Sequence, residues 1–293
     1  MPGRWLTSLY LRCEGSAVLI DCGEGTQISL HEQSISCKHI DAIIFTHYHA
    51  DHTAGLPGLL LSMAKADRTE PVLIVGPKGI AEFLHGVMMI ARYVPFEIRY
   101  MQFEQKEEEF QIGMMKFNAF AVRHSVPCYG FEVNVERTRR FDPQKAEAHE
   151  IPKRLWGLLQ KGQTIEQDGI TYTPDMVLGD ERKGIKLVYV TDTRPCTAIR
   201  EHAEKADLFI AEGMYGEEEG LEKARKHKHM TMQESAAIAK DADVKELWFT
   251  HYSPSMHTPE EYADEIHAIF ERALISRDGQ KTDLAFEHEE TKA

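Results

Sequence analysis

The chain has 293 residues, 42% of them hydrophobic and 28% charged, with a formal net charge of −13. That length supplies one large core or two smaller ones, while no apolar run approaches the roughly 20 residues that cross a bilayer. The acidity excludes a generic nucleic-acid binder, and five scattered cysteines without a CxxC pair predict reduced thiols in a cytoplasmic protein.

The opening MPGRWLTSLYLRCEGS lacks the basic-then-apolar layout of a secretory leader. Apolar, β-branched runs then predict strands at 17–23 (AVLIDCG), 42–47 (AIIFTH) and 71–76 (PVLIVG), with a helix between the last two at Thr53–Ala66. A helix is predicted over 77–93, then strands at 117–124 (FNAFAVRH) and 130–136 (GFEVNVE). From about 137 to 185 the sequence turns polar and rich in turn residues and reads as an inserted arm, not a second domain. Between Arg137 and Gln163 seven basic residues stand against three acidic ones, a local +4 that leaves −17 on the remainder and suits capture of a polyanion. Strands follow at 186–192 (KLVYVTD), 208–213 (LFIAEG) and 246–251 (ELWFTH), alternating with helices at 196–206, from Thr231 and from Thr258. The last two begin with capping-box patterns, Thr231 with Glu234 and Thr258-Pro259 with Glu261. Strands alternating with helices mean a layered α/β fold.

Five strands run into residues that bind metal or move a proton: His47, His124, Asp192, Glu212 and His251. Rigid strand ends with accessible loops beyond them are where α/β proteins assemble sites. One such residue needs no explanation beyond a strand leaving the core; five together do. The turn HYHADH adds His49, Asp51 and His52, and imidazole with carboxylate suits zinc and similar divalent ions. Two adjacent subsites need more ligands than the turn supplies. His124, Asp192 and His251 are the candidates, Asp192 being able to bridge through its two oxygens.

HYHADH matches the HxHxDH signature of the metallo-β-lactamase superfamily. IDCGEGTQ (20–27), FTHYHADHTAGLPGLL (45–60), VTDTRP (190–195) and FTHYSP (249–254) resemble one branch of it, ribonuclease Z, which trims the 3′ trailer of precursor tRNA. The likeness runs from Arg4 to about Pro254. It implies an αβ/βα sandwich of metallo-β-lactamase type, a single domain over 1–293 with a short inserted arm, and explains why FTH occurs twice. It also implies two zinc ions, with manganese or another divalent ion able to replace them. His47, His49 and His124 would hold one, Asp51, His52 and His251 the other, with Asp192 between them. Asp51 would orient and deprotonate the attacking water. KHMT (228–231) is similar to the family's His-Ser-Thr loop, so His229 would donate a proton, oriented by Glu212 of AEGMY. Precursor tRNA as substrate, a homodimer in which one subunit's arm serves its partner's site, and no membrane association follow. The family opens with a strand and a glycine-rich turn before the RWLTS-like segment, so that first strand is expected to be absent here.

Other residues have plainer readings. LPGLLL (56–61) is expected to be helix core, Gly23 and Gly25 turn glycines, and Arg194 either a phosphate contact or a structural salt bridge. The rival within the superfamily is a hydrolase or phosphodiesterase acting on another substrate, which the −13 charge favours.

Overall fold

The computed structural model describes residues 4–216 and 218–287. Met1 to Gly3, on which the expectation of an absent first strand falls, lie outside them. By internal contacts the chain divides into two compact units, one of residues 1–135 and 186–284, the other of 136–185 with 285–293.

The larger unit contains two sheets. The first runs β1 (Leu9–Cys13), β2 (Ser16–Ile20), β3 (Ala42–Ile44), β4 (Val72–Gly76) and β5 (Ile98–Gln102). Its first pair is a hairpin and the remaining pairs are parallel. The second begins with β6 (Glu107–Ile112), β7 (Met115–Ala121) and β8 (Tyr129–Arg137), all antiparallel. A two-stranded hairpin of the smaller unit, β9 (Ile165–Gln167) and β10 (Ile170–Tyr172), intervenes. The second sheet resumes with the parallel strands β11 (Arg182–Val190), β12 (Leu208–Glu212), β13 (Leu247–Thr250) and β14 (Ala273–Ile275). Its order is β14-β13-β12-β11-β8-β7-β6.

Strand alternation decides the layering. Val18, Ile20, Ala42 and Ile44 of the first sheet share one apolar cluster with Phe117, Phe131, Leu187, Tyr189, Leu208, Ile210 and Trp248 of the second, so the sheets pack face to face. The alternate residues point outward: Leu19, Ile43 and Ile74 onto helices Leu56–Lys65 and Ile80–Ile90, Val188, Phe209 and Phe249 onto helices Thr197–Ala203 and Met232–Asp241. Both faces are covered, which is why these strands read as unbroken apolar runs. Leu56, Leu59 and Leu60 are fully buried, as helix core should be, each worth about 1.5–3 kcal/mol relative to exposure.

Several elements differ from expectation. The helix expected at Thr53–Ala66 is two pieces, Ala50–Thr53 and Leu56–Lys65. At the break a Cβ on Gly55 would stand 2.1 Å from the Gly23 carbonyl, so the close backbone approach there admits only glycine. Thr231 and Glu234 form the expected capping box, but Thr258 makes no side-chain cap. Beyond it a 3₁₀ turn (Pro259–Tyr262) leads to a short helix, Ala263–Ile269, and the residues after it become β14. Strands β1, β5, β6 and β14 escape the sequence reading because edge strands are short or polar on one side. Glu107 and Glu109 are exposed, but on an edge strand.

The smaller unit has its own apolar cluster of Ala146, Ile151, Leu155, Leu159, Val177 and Leu178 under helices Pro143–Ala148 and Lys153–Gln160. Over residues 136–185 nine basic side chains are matched by nine acidic ones, so the local excess near its start is offset within the unit. Arg139 is spent internally on Asp175 and the Gly179 carbonyl. No helix among the described residues is long and apolar enough to cross a membrane, and all five cysteines are unpaired.

Candidate metal centre

The site lies where strands of both sheets end in the larger unit. Strand β3 stops three residues before His47, β7 three before His124, β11 two before Asp192 and β13 one before His251. Of the five strand-end residues, Glu212 alone is inside its strand; the others stand on the turns just beyond.

All seven sequence-identified ligands converge. Donor atoms of His47, His49, His124 and Asp192 lie within 4.8 Å of one another, as do those of Asp51, His52, Asp192 and His251. Asp192 belongs to both groups. Its Oδ1 is 3.1 Å from His52 Nε2 and 3.3 Å from His251 Nε2, and its Oδ2 is 3.7 Å from both His47 Nε2 and His124 Nε2. His251 Nε2 is also 3.4 Å from Asp51 Oδ2. His47, His52 and Glu212 are fully buried, whereas the Asp51 side chain is 43% exposed.

The donor set fits divalent cations. His47 Nε2 is buried, faces the cluster and has no hydrogen-bond partner, although buried polar atoms are almost always satisfied. His49 Nδ1 and His124 Nε2 stand 3.2 Å apart, and His52 Nε2 and His251 Nε2 3.3 Å apart. Nitrogen lone pairs brought together in this way are what a cation with imidazole and carboxylate ligands requires. Three of the far nitrogens are held. His52 Nδ1 donates to Asp21 Oδ2 (2.8 Å), His124 Nδ1 to the Lys228 carbonyl (3.1 Å), and His47 Nδ1 meets Thr46 Oγ1 (3.0 Å). Such partners fix which nitrogen faces the cluster.

The carboxylates draw positive charge inward. Burial alone would lower His52, but Asp21 and Asp192 overcome it and push the imidazole up to about 10. Burial likewise opposes at His251, but Asp192, Asp51 and Glu212 together outweigh it and raise the imidazole well above its ordinary value. His47 goes the other way, down to about 2, through burial and the neighbouring His52 charge. Burial would raise Asp51, yet the bond to His251 together with the His52 and His251 charges lowers it to about 2, so its carboxylate stays ionised.

Beside this cluster stands a second pair. His229 Nδ1 donates to Glu212 Oε2 at 2.8 Å, and Glu212 Oε1 accepts the Thr193 N–H at 2.7 Å. His229 Nδ1 is 3.8 Å from Asp192 Oδ2. Arg194 bonds Glu234 and the His229 carbonyl, so of its two readings the salt bridge is the one found. Gly25 has φ 90°, as a turn glycine would. A Cβ on Gly23 would lie 2.4 Å from the Asp51 carbonyl, so Gly23 serves close approach.

Asp21 is the functional residue the sequence reading passed over. It is fully buried, directly follows β2, and holds Thr46 by its N–H and hydroxyl as well as His52. The rule applied to the other strand ends would have found it, since IDCG also carries a carboxylate where an apolar run stops.

Residues 3–141 match a family described as Anti-Pycsar protein Apyc1, and residues 163–252 a β-lactamase superfamily domain. The metallo-β-lactamase fold protein YhfI of Bacillus subtilis superposes with a TM-score of 0.67 at 18% identity, covering 94% of this chain and 90% of that one. Human tRNase Z, short form, superposes with a TM-score of 0.66 at 23% identity, covering 96% and 93%. The α/β sandwich of metallo-β-lactamase type is therefore the fold. The ribonuclease Z of Lachnoclostridium phytofermentans is 52% identical over 290 residues, which is 99% of this chain and 95% of that protein. At that identity over nearly the whole of both proteins, the chain belongs to the ribonuclease Z family of hydrolytic endoribonucleases.

Proposed function

We propose that this chain removes the 3′ trailer from precursor tRNA, using two zinc ions or other divalent cations. The observation that carries the proposal is the convergence of two ligand groups on Asp192 with the His229–Glu212 pair beside them. The family membership and the fold shared with human tRNase Z support the substrate. His47, His49 and His124 would hold one cation, Asp51, His52 and His251 the other, and Asp192 both. When bound, such ions acidify water and neutralise charge on the phosphate oxygens.

The chain's own residues supply the rest. Asp51, ionised and 43% exposed, orients the attacking water and takes its proton. As the new P–O bond forms and the bond to the 3′-oxygen breaks, His229 protonates that leaving oxygen. Glu212 fixes the imidazole through Nδ1, leaving Nε2 for the transfer. The products are a tRNA with a 3′-hydroxyl and a trailer with a 5′-phosphate.

We read the chain as a single domain with residues 137–185 as its arm, acting in the cytoplasm as a homodimer. Five unpaired cysteines support the location, and exposed Met89, Ile90 and Tyr93 offer apolar surface to a second copy. Light scattering on the eluting protein reads the assembly directly. The second reading, a phosphodiesterase on another substrate, is favoured by the −13 charge. One assay separates the two: zinc- or manganese-loaded protein with a trailer-bearing precursor tRNA. A single cut after the discriminator base supports the proposal. Uncut RNA with turnover of a simple phosphodiester supports the second reading.

A further inference from the structure

Three successive residues after β11 each hold a different part of the site. Asp192 joins the two ligand groups, the Thr193 N–H binds Glu212, and Arg194 reaches the loop that carries His229. Arg194 Nη1 donates to the His229 carbonyl at 2.5 Å and to Glu234 Oε2 at 2.9 Å, and Nη2 donates to Glu234 Oε1. Glu234 is itself tied to that loop, since its Oε2 accepts the Thr231 N–H at 3.0 Å and its own N–H donates to Thr231 Oγ1 at 3.2 Å. The arginine backbone is fixed in turn: its N–H bonds the Arg123 carbonyl at 2.9 Å, and the Arg123 N–H bonds Thr193 Oγ1 at 2.9 Å. With side chains 16% and 23% exposed, the Arg194–Glu234 pair is largely out of water.

We propose that Arg194 is a positioning residue for the proton donor: by gripping the main chain of His229, with Glu234 as counter-anchor, it sets where the imidazole stands beside Asp192. The inference rests on the reading of His229 as proton donor given above. The side chain of His229 has one hydrogen-bonded anchor, Glu212, which fixes the ring's orientation, and its N–H donates to the Ala224 carbonyl at 2.8 Å, which leaves the carbonyl side of the residue to be held by Arg194. Arg194 and the capping box hold that backbone on either side of Met230. A planar guanidinium makes the two bonds to Glu234 and the one to the carbonyl together; a lysine ammonium on a flexible stem does not reproduce that fork. Small misplacement of a reacting group costs on the order of 100-fold in rate, so the effect belongs in kcat.

The test uses the full chain loaded with zinc or manganese and two substrates. One is a trailer-bearing precursor tRNA, whose 3′-oxygen must be protonated as it leaves. The other is bis(4-nitrophenyl) phosphate, whose leaving group needs no proton. Arg194→Lys is expected to lose roughly 10–100-fold in kcat on the RNA with KM within about twofold, and to keep nitrophenyl turnover within about threefold of the parent. Equal loss on both substrates, or none on the RNA, overturns the proposal. If Arg194→Lys does not fold, Glu234→Gln decides, and must show the same split in smaller measure. His229→Ala separates this inference from the reading beneath it. Should that variant lose both substrates alike, or should the parent leave the RNA uncut, the functional reading fails. If His229→Ala shows the split and Arg194→Lys does not, only the role of Arg194 falls.

Discussion

Thr-His-Tyr occurs twice, at Thr46–Tyr48 and at Thr250–Tyr252, and the two copies reach the same site by different routes. In the first, Thr46 Oγ1 binds both Asp21 oxygens, at 3.0 and 2.9 Å, and stands behind His47 Nδ1, while Tyr48 turns away to the Pro77 carbonyl at 2.7 Å. The chain then folds into the turn that adds His49, Asp51 and His52. In the second, His251 takes φ 55°, has Glu212 rather than a hydroxyl behind its Nδ1 at 3.8 Å, and is followed by no further ligand. One copy builds a cluster and the other closes it. The three-residue motif does not by itself say what stands behind the imidazole: His47 Nδ1 meets a hydroxyl at 3.0 Å, whereas His251 Nδ1 is buried without a hydrogen-bond partner.

The comparison can be broken at the residue both halves share. Asp192→Ala should abolish turnover and lower the bound divalent cation of both groups, measured by atomic emission on dialysed protein; turnover near the parent's would mean that the two groups act independently. Next in size, His229→Ala should slow RNA cleavage by about 100–10,000-fold with cation content at the parent level. Parent-like cleavage would end its role as proton donor. Asp21→Asn weakens the first copy from behind and should cost about 10–100-fold in cation affinity by calorimetry, with Thr46→Val, which keeps the Asp21–His52 bond, costing less. The reverse order would put the hydroxyl, not the carboxylate, in charge of that half.

The smallest effect is on stability. In metal-free protein the His52 imidazole is raised from its ordinary 6.5 to about 10. A raised pKa in the folded state gives stabilisation that is fully present below the unfolded value and is lost as pH rises through the folded one. Metal-free protein should therefore melt at falling temperature from about pH 7 to pH 10. Cation-loaded protein should gain over it across the same range, because ligand nitrogens must shed their protons. Parallel melting curves with and without chelator would contradict this.

The parallel strands and the seven converging side chains were legible because physical necessity makes them loud. A strand buried on both faces must be apolar throughout, and a ligand must interrupt it where it ends, as at Ile44 to His47 and Val190 to Asp192. The edge strands were quiet for the opposite reason: β6 needs apolar residues on one face only, so its glutamates read as surface. The two Thr-led helix starts show the same limit. Thr231 caps because its loop is tied down by Arg194 and Glu234, a tertiary circumstance; Thr258 has the same local pattern and makes no cap. Arg194 remained ambiguous in the sequence because its partner lies 40 positions away.

Asp21, Asp192 and His251 have φ of 60°, 47° and 55°, a backbone region that ordinary side chains avoid at a cost of about 1–2 kcal/mol each. Relaxation and reactivity therefore pull in opposite directions at these three positions. Glycine would relax the backbone at all three but remove the Asp21 and Asp192 carboxylates and the His251 imidazole, so the substitution that best suits the chain there is the one that strips the cluster of its polar groups.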